Sequence, residues 1–142
     1  MSRTEKENLA LKHFHSTGIP NKATHEIGRA QAAKLLGLEL IDENQEDYNA
    51  IRQTGPYRNI RIRTRRRTPE TGSQRIGCGN TDQNFDSIVF VQLGEDFEVQ
   101  EIWEAGKKDI VAKLDEPGST ARKERRSLIV YQFKNIAIKL WP

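Results

Sequence analysis

The stretch "RNIRIRTRRR", residues 58–67, decides how the middle of this chain folds. Positions 60, 62 and 64 hold Ile, Ile and Thr, and they alternate with arginine at positions 61, 63 and 65. Successive side chains of a β-strand point to opposite faces of a sheet, so the alternation predicts a strand with one apolar face and one arginine face. We therefore expect the isoleucines to enter the core and the three arginines to project together from the other side.

An unbroken row of arginines on one strand face favours an anionic ligand. One or two charges suffice to protect an edge strand from aggregation, whereas neighbouring like charges repel each other unless an anion compensates them. Guanidinium groups also bind phosphate oxygens through paired hydrogen bonds. The row therefore indicates phosphate binding, and charge protection of an edge strand is the alternative.

The whole chain has the size and composition of one domain. Of its 142 residues 35% are hydrophobic and 30% charged, and the formal net charge is +3. This length can bury a hydrophobic core, so we treat residues 1–142 as a single domain. Cys78 is the sole cysteine, which excludes an internal disulfide and a cysteine-rich metal site. The sequence shows no secretory signal and no long apolar run, so we expect a cytoplasmic protein without a membrane partner.

Apolar spacing predicts helices on either side of a β-meander. The expected helices span 4–15, 22–36 and 106–115, and the expected strands span 48–53, 57–64, 85–93 and 97–104. Residues 1–21 then form an N-terminal helix and linker, and residues 65–84 form a long basic and polar loop. In the tail, "SLIVY" (127–131) suits a short strand, while apolar residues from 133 to 140 keep a helical spacing.

The arrangement of these segments predicts the fold class. Residues 88–91 are apolar without alternation, which is typical of a central strand that is covered on both faces. Helices flank the strand-rich middle of the chain on both sides in sequence. We therefore predict an α/β (α+β) fold with a central mixed, mainly antiparallel sheet flanked by helices on both faces.

The chain also resembles small bacterial proteins of the restriction-endonuclease-like, PD-(D/E)XK class. The segments that carry the resemblance are "HEIGRAQAAKLLGLEL", "YNAI", "IRIRTRR" and "FDSIVFVQLGEDFEVQEIWEA", and it runs from about residue 22 to the end. The resemblance implies a restriction-endonuclease-like core. In that class a helix supplies a glutamate, one strand an aspartate, and the next strand a carboxylate or glutamine, one residue, then lysine. These groups bind one or two divalent ions and orient the water that attacks a phosphodiester.

Carried over residue by residue, the motif is degenerate in this chain. Glu26 takes the helix position, Asn49 the aspartate position, Arg61 the carboxylate or glutamine position and Arg63 the lysine position. Only the first keeps its type. A cation at a ligand position repels a metal ion, and an arginine stays protonated and cannot act as a base. The resemblance therefore implies a nuclease-like fold that binds nucleic-acid phosphates with its metal-dependent site lost or weakened.

Two other functions stay open, and whether the protein is an enzyme is not decided by its sequence. An active DNA endonuclease would need Mg²⁺ or Mn²⁺ and relocated carboxylates, with Glu26, Asp47 and Asp86 as the metal ligands and Glu101 as a further acid in reach. Without such activity we expect no cofactor. The second alternative is an interaction subunit of a bacterial complex. Its arginine face would meet an acidic protein partner or, in a homodimer, the acidic clusters at 39–47 and 95–104.

A second basic cluster, "ARKERR" at residues 121–126, extends the predicted nucleic-acid interface. By itself this cluster is typical of a solvated linker or helix face. Joined to the arginine strand, it would form a positive groove along a DNA or RNA backbone. The predicted phosphate contacts are Arg58, Arg61, Arg63, Arg65, Arg66, Arg67, Arg122, Lys123, Arg125 and Arg126.

Overall fold

The structure is a computed structural model that describes residues 21–41 and 47–142, and the predicted helix at 4–15 lies outside these residues. Its helices are α1 (Asn21–Leu36), α2 (Lys107–Leu114), α3 (Thr120–Arg125) and α4 (Val130–Asn135). Its strands are β1 (Glu39–Leu40), β2 (Ala50–Ile51), β3 (Asn59–Arg66), β4 (Arg75–Gly77), β5 (Ser87–Leu93), β6 (Val99–Gly106), β7 (Ser127–Ile129) and β8 (Ile138–Trp141).

Six strands form one mixed sheet in the order β1-β2-β3-β5-β6-β8. Strands β3 and β5 run parallel, and the other neighbours in this sheet are antiparallel. The prediction of a central mixed, mainly antiparallel sheet is therefore confirmed. Strands β4 and β7 pair separately as a two-stranded antiparallel sheet. A restriction-endonuclease-like core stays a prediction.

Strand β5 forms the centre of the core, and all seven of its residues are buried. Its side chains alternate between two hydrophobic clusters. Val89 and Val91 join the cluster that contains Ile27 of α1. Ile88 and Phe90 join the cluster formed with residues of α2 and α4. The helices therefore cover both faces of the sheet, as its uninterrupted apolar run predicts.

Helix α1 lies close against the middle of β3. Ile60 and Ile62 of this strand are buried in the cluster beneath α1, which confirms the predicted apolar face. Gly28 of α1 allows the close approach, because a β-carbon there would overlap with the side chain of Thr64. The glycine thus sets the distance between the helix and the sheet, as small residues do where two backbones approach.

The segment between β3 and β5 differs from the predicted loop over 65–84. Strand β3 continues to Arg66, and β4 occupies the middle of the segment. The three residues of β4 are too few to show a periodicity, and they pair with β7 some fifty residues further on. Ile76 of β4 is only 1% exposed, so its burial fixes the segment over the sheet.

The C-terminal tail combines both patterns seen in its sequence and adds a strand. A short strand, β7, begins at Ser127 as expected, and the helical spacing is confirmed only for α4. The chain then forms β8, which pairs with β6 at the edge of the main sheet. Separately, across residues 21–41 and 47–142 no helix combines the length and apolar character that a membrane crossing needs.

We predict that Gly28→Ala lowers the free energy of unfolding, although alanine favours helices by about 1 kcal/mol over glycine. The added methyl group overlaps with Thr64, and overpacking of this kind costs about 1–3 kcal/mol. Urea denaturation measures the change. Gly72→Ala is the control, because nothing lies within 4 Å of a β-carbon there. Unchanged or raised stability of Gly28→Ala would contradict the close approach of α1 to β3.

Candidate nucleic-acid interface

Arg61 is buried, and each of its three side-chain nitrogen atoms donates a hydrogen bond within the protein. Only 4% of the residue is exposed. Its Nε donates to the carbonyl oxygen of Asp47 at 2.7 Å, its Nη1 to that of Cys78 at 2.8 Å and its Nη2 to Oε1 of Gln83 at 2.9 Å. The guanidinium carbon also lies 4.0 Å from the centre of the Phe85 ring. Burial lowers the pKa of Arg61, and the nearby charge of Arg63 lowers it further.

The other two arginines of the row make the same kind of contact. Arg63 Nε donates to the carbonyl oxygen of Gly77 at 2.9 Å, and Arg65 Nε donates to that of Arg75 at 2.8 Å. We call Arg61, Arg63 and Arg65 the arginine ladder. The ladder joins β3 to the backbone from Arg75 to Cys78, so it fastens the small β4-β7 sheet to the central one. The predicted common projection of the three side chains is confirmed, and their immediate partners are carbonyl groups.

Asn49 directly precedes β2 and extends the pairing with β3 through its side chain. Strand β2 pairs with only two residues of β3, Asn59 and Ile60. Beyond them the side chain of Asn49 takes the place of a backbone peptide group. Its Oδ1 accepts from the backbone N–H of Ile62 at 2.7 Å, and its Nδ2 donates to the Ile62 carbonyl at 3.3 Å. The asparagine at the predicted aspartate position therefore serves the backbone of β3.

Further side chains cover the rest of this edge of β3. Arg63 Nη1 donates to the carbonyl of Ile62, and Arg65 Nη1 donates to that of Thr64, each at 3.2 Å. Gln74 Nε2 donates to the carbonyl of the last β3 residue at 2.9 Å. Charged side chains on an exposed strand edge hinder pairing with another chain. These contacts support edge protection as one role of the arginines.

A cavity of about 410 Å³ lies between α1 and this edge. We call it the α1 cavity. The residues that line it are Lys22, His25, Arg29, Asn49, Ile62, Arg63 and Thr64. Among these described lining residues every ionisable side chain is basic. The hydroxyl of Thr64 is buried and has no hydrogen-bond partner among the described residues, although buried polar groups are nearly always hydrogen-bonded.

The four motif positions are therefore only partly brought together. Asn49 and Arg63 line the α1 cavity, whereas Arg61 is buried in contacts to loop backbone. Glu26 is half-buried on α1 and is not among the lining residues. Its neighbour His25 lines the cavity instead.

The lining residues Lys22 and Arg29 were missed by the sequence reasoning, although a signal exists. Together with His25 they occupy positions i, i+3 and i+7 of α1, which is the spacing of one helix face. The three residues fall within "NKATHEIGR", where the basic positions are separated by uncharged or acidic ones. A search for a basic stripe on that helix would have found them.

The second basic cluster meets the arginine ladder beside Cys78. The backbone N–H of Cys78 donates to the carbonyl of Arg126 at 2.8 Å, and the carbonyl of Cys78 accepts from Arg61. Arg126 also donates to Asp115 at 3.2 Å and to the hydroxyl of Thr81. Burial raises the pKa of the Cys78 thiol to about 11, despite the opposing charges of these arginines. Arg126 thus lies near the ladder at this loop, and one positive groove formed by the two clusters stays a prediction.

The remaining residues predicted to contact phosphate either bind groups of the protein itself or are exposed. Arg122 is buried and donates to the carbonyls of Glu116 and Pro117, so it holds the loop before α3. Arg66 donates twice to the carbonyl of Glu95 and lies over an aromatic ring. The exposed members are Arg58, Arg67, Lys123 and Arg125.

The carboxylates of the enzyme alternative serve the fold. Asp47 accepts from the backbone N–H of Asn84 at 3.0 Å. Asp86 accepts from two consecutive backbone N–H groups at the start of β3. Glu101 pairs with Lys134 at 2.5 Å and with Lys139 at 3.5 Å. Asp47 and Asp86 thus bind backbone groups, and Glu101 forms ion pairs with two lysines.

The donor set around the motif positions does not suit a divalent metal ion. Mg²⁺ needs carboxylate oxygens, whereas the α1 cavity offers an amide, a hydroxyl and basic side chains. Within residues 21–41 and 47–142, no three His, Cys, Asp or Glu side chains group as a metal site would require. The sequence matches no protein-family model, and no curated protein is significantly similar to it.

We predict that Arg61→Gln lowers the free energy of unfolding by about 2–4 kcal/mol. The change leaves the buried carbonyl groups that Arg61 serves without a donor, and each unsatisfied buried group costs about 1–3 kcal/mol. Guanidinium chloride denaturation measures the loss. The control is Arg67→Gln, an exposed position where a change within about 0.5 kcal/mol is expected. Equal stability of the two variants would show that the ladder is dispensable for the fold.

We predict that Glu101 stabilises the fold at neutral pH and less so in acid. The hydrogen bond from Lys134 lowers the pKa of Glu101. A folded pKa below the unfolded value of about 4.3 gives stability that is present above that pH and is lost as the pH falls through the folded pKa. The stability difference between wild type and Glu101→Gln should therefore shrink below about pH 4.

Chemical denaturation at a series of pH values checks this expectation. The control is Glu124→Gln, which removes an exposed carboxylate on α3. A wild-type advantage over Glu101→Gln that stays constant from about pH 7 to about pH 3 would contradict the ion pair with Lys134.

Proposed function

We propose that this protein binds nucleic acid through its phosphates and that the α1 cavity holds one of them. The observation that carries the proposal is the lining of this cavity, where Lys22, His25, Arg29 and Arg63 are its ionisable side chains. Four basic groups from a helix and a strand converge on one space. An anion that enters it is attracted from two sides, and a phosphate accepts hydrogen bonds from each of these side chains.

Two further features favour an anion in the α1 cavity. The cavity lies beside the beginning of α1, and the first turn of this helix holds no acidic residue. The partial positive charge at the start of a helix stabilises anions there. None of the described residues that line the cavity carries a carboxylate, so no fixed negative charge among them repels a phosphate.

The arginine ladder has a positioning role in this proposal. Arg61 and Arg65 donate hydrogen bonds to backbone carbonyls in and around β4 and hold that strand in place. Arg63 does the same through Nε and also reaches the α1 cavity. The direct phosphate contacts are therefore assigned to Lys22, Arg29 and Arg63, and the rest of the ladder fixes the strand that presents Arg63.

A nuclease-like origin, with the metal-dependent site lost, is part of the same proposal. The order of a helix, two antiparallel strands and a central strand agrees with the resemblance in the sequence. At the motif positions, Asn49 and Arg63 face the cavity in place of an aspartate and a lysine. The cavity keeps groups that bind a phosphate and lacks the ligands that would bring a metal to it.

We predict that Lys22→Gln/Arg29→Gln weakens the binding of oligonucleotides. Fluorescence anisotropy with labelled duplex DNA, single-stranded DNA and RNA measures affinity between low and moderate salt. Each phosphate contact that is lost should reduce the slope of log affinity against log salt by about 0.9 on duplex DNA and about 0.7 on single strands. The double variant should therefore bind more weakly at low salt and depend less on salt.

A matched control separates the cavity from the general charge of the protein. Lys34→Gln/Lys108→Gln removes two positive charges from exposed positions on α1 and α2 that do not line the cavity. It should keep most of the wild-type slope. If wild type binds none of the three probes at low salt, or if both double variants lose the same affinity, phosphate binding at the α1 cavity is wrong. Cleavage of a probe with Mg²⁺ would contradict the loss of metal chemistry.

A further inference from the structure

We infer that a second phosphate site lies in the cavity between the loop Gly79–Asp82 and the end of α3, and that one polynucleotide strand reaches both cavities. This inference rests on the proposed function. The second cavity, here called the loop cavity, has a volume of about 510 Å³. Its lining residues are Gly79, Asn80, Thr81, Asp82, Arg125 and Arg126.

Arg63 and Gly79 bring the two cavities close to each other. Arg63 lines the α1 cavity, and Gly79 lines the loop cavity. A β-carbon at Gly79 would lie 3.6 Å from Nη2 of Arg63 and 3.0 Å from Nη1 of Arg61. The guanidinium of Arg63 therefore lies where the two cavities approach each other. An anionic chain that leaves the α1 cavity past Arg63 meets the loop cavity next.

The charges of the loop cavity favour an anion. Arg125 is exposed, and the guanidinium of Arg126 lies between Asp115 and Thr81 and donates to both. Asp82 is the acidic residue among those that line it. The ion pair with Asp115 offsets part of the charge of Arg126, so Arg125 supplies most of the attraction. Asn80 adds a side-chain amide, whose Oδ1 accepts from the backbone of Asp82 and leaves the Nδ2 group as a donor.

The loop is held rigidly enough to present these groups. The ladder fixes the carbonyls of Gly77 and Cys78, and the carbonyl of Arg126 fixes the N–H of Cys78. Gly79 adopts a positive φ of 76°, a conformation that glycine tolerates without strain. Because the ladder and the carbonyl of Arg126 together fix the start of the loop, its cavity needs little ordering when a ligand binds.

A polynucleotide fits this arrangement better than a mononucleotide or an acidic peptide. Two basic cavities on either side of one arginine match a ligand that repeats its negative charge at regular steps. The phosphates of a nucleic acid are spaced in this way and bind basic grooves irrespective of sequence. A mononucleotide would fill one cavity only.

The test compares Arg125→Gln with the variants of the α1 cavity on ligands of two lengths. The probes are a labelled dinucleotide and a labelled twelve-nucleotide single strand, each titrated at several salt concentrations. Arg125→Gln should leave dinucleotide binding unchanged, weaken the longer strand several-fold and lower its salt slope by about 0.7. Lys22→Gln/Arg29→Gln should weaken both probes. Arg125→Lys should retain the wild-type slope, and Lys108→Gln serves as an exposed control.

The outcomes separate the two proposals. If Arg125→Gln binds the longer strand with wild-type affinity and slope, the loop cavity is not a phosphate site, and the proposed function stands. If wild type binds neither probe, the proposed function itself fails. Polyglutamate as a competitor tests an acidic protein partner. Displacement of the longer strand by polyglutamate at equal charge concentration would overturn the assignment to a polynucleotide.

Discussion

Hydrogen bonds from arginine side chains to backbone carbonyls hold this fold together at its centre. Buried charges are costly unless they are hydrogen-bonded, and the ladder meets that requirement with carbonyls from Arg75 to Cys78. A hydrogen bond to a charged group contributes about 1.5–3 kcal/mol. The parallel pairing of β3 with β5 needs a long connection, and the ladder fixes that connection over the sheet. Without it, β4 would lose its arginine contacts to β3 and would depend on its contacts with β7 and on the burial of Ile76.

The same contacts explain how a strand can carry so many like charges. Each guanidinium of the ladder faces partial negative charge on carbonyl oxygens, which offsets the repulsion between neighbours. The unsatisfied edge of β3 beyond β2 is covered by Asn49, Arg63, Arg65 and Gln74. Arginine is suited to this work because its five donors spread over a rigid plane. One residue can serve two carbonyls and still present a face to a cavity.

The proposed binding surface follows from this construction. Arg63 belongs to the ladder and to the α1 cavity, so the part that holds the fold also places a charge where a ligand would enter. Groups anchored on strands and helices hold their geometry better than groups on free loops, and preorganised donors bind anions at less cost. Three of the four acids proposed for a metal-dependent mechanism, Asp47, Asp86 and Glu101, bind backbone groups or lysines. The fourth, Glu26, does not line the α1 cavity. We therefore propose phosphate binding, and not metal-dependent chemistry, for this arrangement.

The elements with a strong periodic signal could be predicted from the amino-acid pattern. The alternation in residues 58–67, the uninterrupted apolar run of β5 and the helical spacing of α1 and α2 each match the structure. The packed structure adds which groups the arginines contact and which basic residues of α1 and β3 converge on one cavity. Their partners are backbone carbonyls ten to seventeen residues along the chain, and every residue type carries that group. Because a backbone acceptor is not visible in the residue types, the ladder and the pairing of β4 could be read only from the packed structure.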